Sequence, residues 1–280
     1  MIELSNIEFG YTKRRILFKD LNITMTPGHI YGLLGKNGSG KTTLLKIMTG
    51  LCFPQKGIPL ILGSRAEKRY PEVLSNVYFL PEELYTPHLK LKDYLKIYAP
   101  FYPHFNQEQF EYYLHDFEIE NYDGYIDKLS HGQKKKIHIA FALSANTQIL
   151  FMDEPTNGLD IPSKGQFRRM VASVLDENRC IIISTHQVRD LDNLIDNLII
   201  MDNHEIALNE SIETITDRLF FRLQDADRND LPVIYSEDTL RGVFQVCENV
   251  NREDSKLDIE LLFNAVYRNK KQIQQIFNTK

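Results

Sequence analysis

Cysteine is scarce in this 280-residue chain. Cys52, Cys180 and Cys247 lie far apart, without the paired spacing of a zinc site or a disulfide framework. They read as reduced, buried thiols. No apolar run approaches the ~18 residues that a membrane helix needs, and the polar start Met1-Ile2-Glu3-Leu4-Ser5-Asn6 does not read as a signal peptide. A cytosolic chain is expected. An excess of basic charge is missing too: 33 Lys and Arg against 38 Asp and Glu leave a net charge of -5. That balance argues against a nucleic-acid binder, for which a basic surface is expected.

What is present is an ordinary globular composition, 42% hydrophobic and 25% charged, enough for one large domain or a domain with a small appendage. One stretch organises it. Gly35-Lys36-Asn37-Gly38-Ser39-Gly40-Lys41-Thr42-Thr43 fits the phosphate-loop pattern G-x-x-x-x-G-K-[ST] without a mismatch. An apolar strand-like run at residues 30–34 precedes it and a helix-like run at 44–48 follows, which is the context the motif requires. Glycines at 35, 38 and 40 permit backbone angles that bring successive N–H groups onto phosphate oxygens at a helix N-terminus. In that pattern Lys41 reaches the β- and γ-phosphates and the Thr42 hydroxyl reaches a magnesium ion.

A second signal lies at Gln148-Ile149-Leu150-Phe151-Met152-Asp153-Glu154-Pro155, an apolar strand that empties onto two carboxylates. Neighbouring strand residues point opposite ways, so the pair can divide its work. Asp153 is expected to hold magnesium as the partner of Thr42, and Glu154 to act as general base on the attacking water. Asn157-Gly158-Leu159-Asp160 adds a turn with a further carboxylate. A third site is Leu129-Ser130-His131-Gly132-Gln133, where Ser130 and Gly132 stand at a helix start and offer free N–H groups and a capping hydroxyl. Of Lys134, Lys135 and Lys136 behind it, at least two read as a solvated helix face.

Around these motifs the residues suggest antiparallel strands at 2–9 and 22–26, turns and short strands at 50–63, and a buried strand at 77–80 ending on Pro81-Glu82-Glu83. An aromatic-rich helical insertion follows, with helices broken at Pro100-Phe101-Tyr102-Pro103. Its aromatic residues either fill a core or offer a surface to a partner. Further expectations are a helix at 164–178, a strand at 180–184 ending in Thr185-His186, a helix through Val188, Leu191, Leu194 and Ile195, and a hairpin at 198–208 turning at Asp202-Asn203. Spacing alone leaves Tyr11 as either a base-stacking ring or a half-buried side chain, and His186 as either structural or a γ-phosphate contact.

Taken together, these residues resemble the nucleotide-binding, ATP-hydrolysing subunit of ABC transporters, over about residues 1–210. The residues that carry the resemblance are 35–43, the signature at 129–133, 150–156, Gly158-Leu159-Asp160 and Thr185-His186. It implies an α/β fold with a mainly parallel core sheet, an N-terminal antiparallel β subdomain and a helical subdomain inserted at about 89–145. Past the resemblance, residues 220–223 and 242–246 read as strands and 258–268 as an amphipathic helix, which makes a small α+β extension at 211–280. The resemblance implies ATP and magnesium as ligands, Tyr11 as the adenine-stacking ring and His186 as the γ-phosphate switch. Ser130, Gly132 and Gln133 would cap ATP held by a second nucleotide-binding subunit, and Asp160 would join the nucleotide-binding set. The partners implied are integral membrane subunits reached from the cytoplasmic face. Long coiled coils or duplicated motifs, as in soluble relatives that act on DNA or the ribosome, are not found in the sequence. The extension resembles that of drug and peptide exporters, or is a plain cap. Two residues depart from the family pattern: Glu82 stands where glutamine is common, beside metal and water, and His131 replaces a glycine of the signature.

Overall fold

The computed structural model describes residues 1–12, 15–119, 123–224 and 231–278. In chain order its elements begin with β1 (Ile2–Phe9), β2 (Phe18–Met25), β3 (His29–Gly35), α1 (Lys41–Met48), β4 (Lys56–Ile61), β5 (Ser64–Arg65) and α2 (Pro71–Leu74). Then come β6 (Val77–Leu80), α3 (Leu91–Tyr98), α4 (Gln107–Asp116), α5 (His131–Ser144), β7 (Ile149–Asp153), α6 (Ile161–Ser173) and β8 (Cys180–Thr185). The C-terminal part contributes β9 (Asn197–Asp202), β10 (Glu205–Ser211), α7 (Ile212–Arg218), β11 (Leu219–Leu223), β12 (Val233–Thr239), β13 (Gly242–Glu248), α8 (Ile259–Arg268) and α9 (Lys270–Asn278). These fall into two compact units, Met1–Ile30 with Gly40–Thr185, and Tyr31–Ser39 with His186–Lys280.

In the first unit, β1 pairs antiparallel with β2 on one side and β4 on the other. Its apolar residues Ile2, Leu4, Ile7 and Phe9 are buried, as an alternating strand with one covered face requires. The strands β6, β7 and β8 pair in parallel, with Asp153 opposite Ser184. Every residue of β7 and β8 is buried. Strands covered on both faces read as unbroken apolar runs, which is why residues 149–152 and 181–183 carry only Ile, Leu, Phe and Met. The insertion is helical as expected, with Tyr94 and Phe110 both packed edge-on to Phe141 of α5. The stretch 120–122 of that insertion lies outside the described residues. Asn106 caps α4 by accepting from the Gln109 N–H at 3.0 Å. The helix expected at 164–178 begins at Ile161 and stops at Ser173, with Val174 already past its end.

In the second unit, β3 runs parallel to β9, from Tyr31 opposite Asn197 to Gly35 opposite Met201. A β-carbon on Gly32 would stand 2.8 Å from side-chain atoms of Leu191 and Ile195, so glycine is what lets that segment close on the strand. The hairpin β9–β10 turns at Asn203-His204, one residue later than expected, with φ of 48° and 67°. Two successive left-handed residues make the type I′ geometry that suits strand twist. The expected helix through residues 188–195 is instead one 3-10 turn at Val188–Leu191. Asp192 leaves it at ψ 127° and Asn193 follows at φ 58°; short polar side chains tolerate that region and compete with the helix for backbone partners. The antiparallel sheet β11-β13-β12 and the helices α8 and α9 form the extension. Strand β12 has no counterpart among the sequence expectations, because its exposed face is a charged Ser236-Glu237-Asp238 run rather than a clean alternation.

All three cysteines are free thiols, Cys180 and Cys247 buried and Cys52 half-buried. Among the described residues, no helix is long and apolar enough to cross a membrane.

Candidate functional site

In the first unit, the end of β7, the start of α1 and the end of β8 meet. Gly40 ends the loop before α1 at φ 107°, a left-handed value that favours glycine, and the helix has no side-chain cap. The Thr42 hydroxyl donates to Asp153 Oδ2 at 2.6 Å. The other carboxylate oxygen of Asp153 accepts from the Ser184 hydroxyl. Asp153 is therefore clamped from two sides and aimed at Thr42. Glu154 leaves the strand at φ 46° and turns the opposite way. Its Oε2 accepts from Thr185 Oγ1 at 2.9 Å, and its Oε1 lies 3.9 Å from Lys41 Nζ. Both Lys41 and Glu154 are buried. Burial pulls the Lys41 ammonium below its ordinary pKa, while the carboxylates of Glu154, Asp153 and Glu82 pull it back up. The carboxylates thereby offset part of the cost of burying the ammonium.

The remaining predicted residues of this unit divide. Tyr11 is 65% exposed, its hydroxyl joined to Thr43 Oγ1 at 2.9 Å and its ring edge-on to Phe9. That leaves most of an aromatic face in solvent beside α1. Glu82 is exposed, and its Oε1 accepts from Asn157 Nδ2 at 3.0 Å. Ser130 and Gln133 form a full capping box at the start of α5: Ser130 Oγ accepts from the Gln133 N–H at 3.2 Å and Gln133 Oε1 from the Ser130 N–H at 3.1 Å. His131 is exposed, and Gly158 lies under its ring: a β-carbon there would stand 2.8 Å from His131 Nδ1. Gly132 approaches the Gly158 carbonyl in the same way. Asp160 caps α6 through the Ser163 N–H at 2.8 Å, and hydrogen bonds from Ser163 hold its pKa down.

Sequence reasoning did not single out Ser184 or Asn157, the hydroxyl role of Thr185, or Lys135. Ser184 and Thr185 owe their contacts to the register of β8 against β7, which no local pattern reveals. Lys135 is fully buried, unlike Lys134 and Lys136. Helical spacing carries the signal: residues 135, 138, 139 and 142 share one face of α5 and all are buried.

In the second unit stand the loop residues 35–39. Gly35 has no room for a β-carbon, which would lie 3.0 Å from the Met201 carbonyl and closer to Ser39 Oγ. Gly38 takes φ 81° with open space around it. Ser39 Oγ is buried with no hydrogen-bond partner among the described residues, while its carbonyl meets His204 Nδ1 at 3.1 Å. Asn37 is exposed, and Lys36 Nζ lies 3.3 Å from the centre of the Tyr267 ring of α8. His186 is exposed.

The family model described as ABC transporter matches residues 18–157, half of the chain. The chain is similar to the ABC transporter ATP-binding protein NatA of Bacillus subtilis (strain 168), 28% identical over 254 residues that cover 87% of this chain and all of that protein. It is also similar to the Nod factor export ATP-binding protein I of Cupriavidus metallidurans, 28% identical over 207 residues, 72% of this chain and 68% of that one. Among solved structures, the dimeric structure of a bacterial ABC transporter cassette superposes with a TM-score of 0.67 over 76% of this chain and 99% of its own, at 21% identity. The clamped Asp153, the Lys41–Glu154 pair and the capped signature at Ser130 thus stand on a shared fold, and the chain belongs to the ABC transporter family as an ATP-binding, ATP-hydrolysing subunit.

Proposed function

We propose that this subunit hydrolyses magnesium-bound ATP at a site closed by a second nucleotide-binding subunit, for which another copy of this chain suffices, and so drives membrane-embedded subunits from the cytoplasmic face. The observation that carries the proposal is the division of labour at the end of β7, Asp153 held toward Thr42 and Glu154 toward Lys41 and Thr185. Residues 1–210 form the ATPase domain in this account, with the helical insertion at about 89–145, and residues 211–280 the appendage.

The residues fit both ligands. Ser39 Oγ, buried without a partner among the described residues, and Gly38, with empty space where a side chain would stand, suit a loop that wraps phosphates. Thr42 and Asp153 offer hard oxygen donors, and magnesium in such sites takes one or two protein ligands besides phosphate oxygens and water. Thr42 and Asp153 would hold the magnesium, which would supply positive charge against the charge that develops on the phosphates. Lys41 binds the β- and γ-phosphates, with the amides of residues 38–43 around them. Glu154 Oε2 is held by Thr185, which fixes the carboxylate so that it can accept the proton of the attacking water. His186 contacts the γ-phosphate, and Glu82, tied to Asn157, borders the metal and the water. Tyr11 stacks on adenine. Ser130, Gly132 and Gln133 present their helix start to the nucleotide of the other subunit, and Asp160 sets the neighbouring turn by capping α6.

The Nod factor relative is named for export, and the short extension here favours export as the direction of transport. Calorimetry tests the binding half of the proposal: Lys41→Ala should abolish tight ATP binding, and an unchanged affinity would remove the cradle from the account.

A further inference from the structure

Lys135 is a buried charge that the mechanism above does not use. A lysine with no solvent exposure is rare unless its ammonium is paired, because taking the charge out of water costs heavily. Here Nζ donates to the main-chain carbonyl of Glu82 at 3.3 Å. The carboxylates that act on it are those of Glu82, Asp153 and Glu154, and they oppose the lowering of its pKa by burial. The same three carboxylates act on Lys41. Three acidic side chains at the ends of β6 and β7 therefore share two buried cations, and only one of these, Lys41, belongs to the phosphate loop. Lys135 also sits two residues after Gln133, on the helix whose first turn carries the signature. Its hydrogen bond consequently latches the signature helix to the segment that follows β6, where Glu82 reaches across to Asn157.

We propose that Lys135 is a positioning residue for hydrolysis: its ammonium offsets the carboxylate of Glu82 and holds that residue's main chain, so that Glu154 rather than a crowd of like charges faces the water. The inference rests on the ATPase proposal and concerns the same site. A lysine that only fills space would be replaceable by any side chain of its length. One that offsets Glu82 becomes dispensable when Glu82 loses its charge.

The experiment compares Lys135→Met, Glu82→Gln and the double variant in the full chain, by steady-state phosphate release and by ATP affinity. Lys135→Met should lower kcat by roughly ten- to a hundredfold, the scale of a misplaced catalytic group, while ATP affinity changes by less than about threefold, since Lys41 keeps the phosphates. Adding Glu82→Gln to Lys135→Met should then raise kcat by about tenfold over the single variant. Should Lys135→Met not fold, Lys135→Gln keeps a donor for the Glu82 carbonyl without the charge, and the same comparison decides. An unchanged kcat in the single variant, or a double variant no faster than the single, overturns the proposal. A wild-type chain that binds no ATP or does not hydrolyse it would instead overturn the ATPase proposal itself.

Discussion

Replacing Glu154 by glutamine tests the assignment of the general base with the least disturbance. The side chain keeps its volume, and the backbone at φ 46° is as accessible to glutamine as to glutamate. The amide oxygen can still accept from Thr185, so that hydrogen bond survives. What is lost is one charge, 3.9 Å from Lys41. Asp153 remains near Lys41, and the ammonium gains the phosphates when ATP binds. Affinity should therefore hold or tighten, since a carboxylate beside the γ-phosphate site repels it. Turnover is another matter, because an amide cannot accept the proton of the attacking water. Loss of a general base slows such reactions by about 10²- to 10⁴-fold, or about 3–5 kcal/mol of barrier. Initial rates of phosphate release at saturating ATP measure kcat, and calorimetry measures affinity on the same preparation. A kcat within about threefold of wild type would refute the role of Glu154.

Two further outcomes follow from the same coordinates. Burial holds the His138 pKa at about 4, against 6.5 for an ordinary histidine; the unfolded chain thus takes up the proton first, and stability present above pH 6.5 should be lost as pH falls toward 4. The full difference is about 3 kcal/mol, and thermal melts of wild type against His138→Gln over pH 4–7 should show that sensitivity in the wild type alone. Ser130→Ala removes the hydroxyl from the capping box of α5 and should cost about 1 kcal/mol of stability, read as a lower urea midpoint with unchanged slope; an equal midpoint would show that the cap contributes nothing.

The parts of the site legible in the sequence are those where local chemistry dictates local backbone. The loop at 35–43 needed its glycines, Ser130 and Gly132 announced a helix start, and an apolar run ending in Asp153 and Glu154 read as a buried strand delivering acids. The buried strands and the helical insertion were legible for the same reason, while the mainly parallel order of the core sheet came from the family resemblance. Contacts made by register or by distant packing were not. Ser184 reaches Asp153 and Thr185 reaches Glu154 only because β8 lies beside β7 in one particular alignment. Asn157 holds Glu82 across 75 residues of sequence. Of the three lysines at least two read as surface residues without saying which, although helical phase puts Lys135 on the face that carries His138 and Ile139. The 3-10 turn at Val188–Leu191 shows apolar spacing losing to the Asp192-Asn193 pair, whose non-helical backbone outweighs a helical pattern only a few residues long.

The central claim is that each nucleotide site is finished by the signature of another subunit. Sedimentation of the Glu154→Gln chain, which should bind ATP without consuming it, tests that claim directly. With ATP and magnesium the account predicts a stable species of twice the chain's 32.7 kDa, lost on removal of nucleotide and lost in a Ser130→Arg variant. A chain that remains at its single mass while saturated with ATP would contradict it.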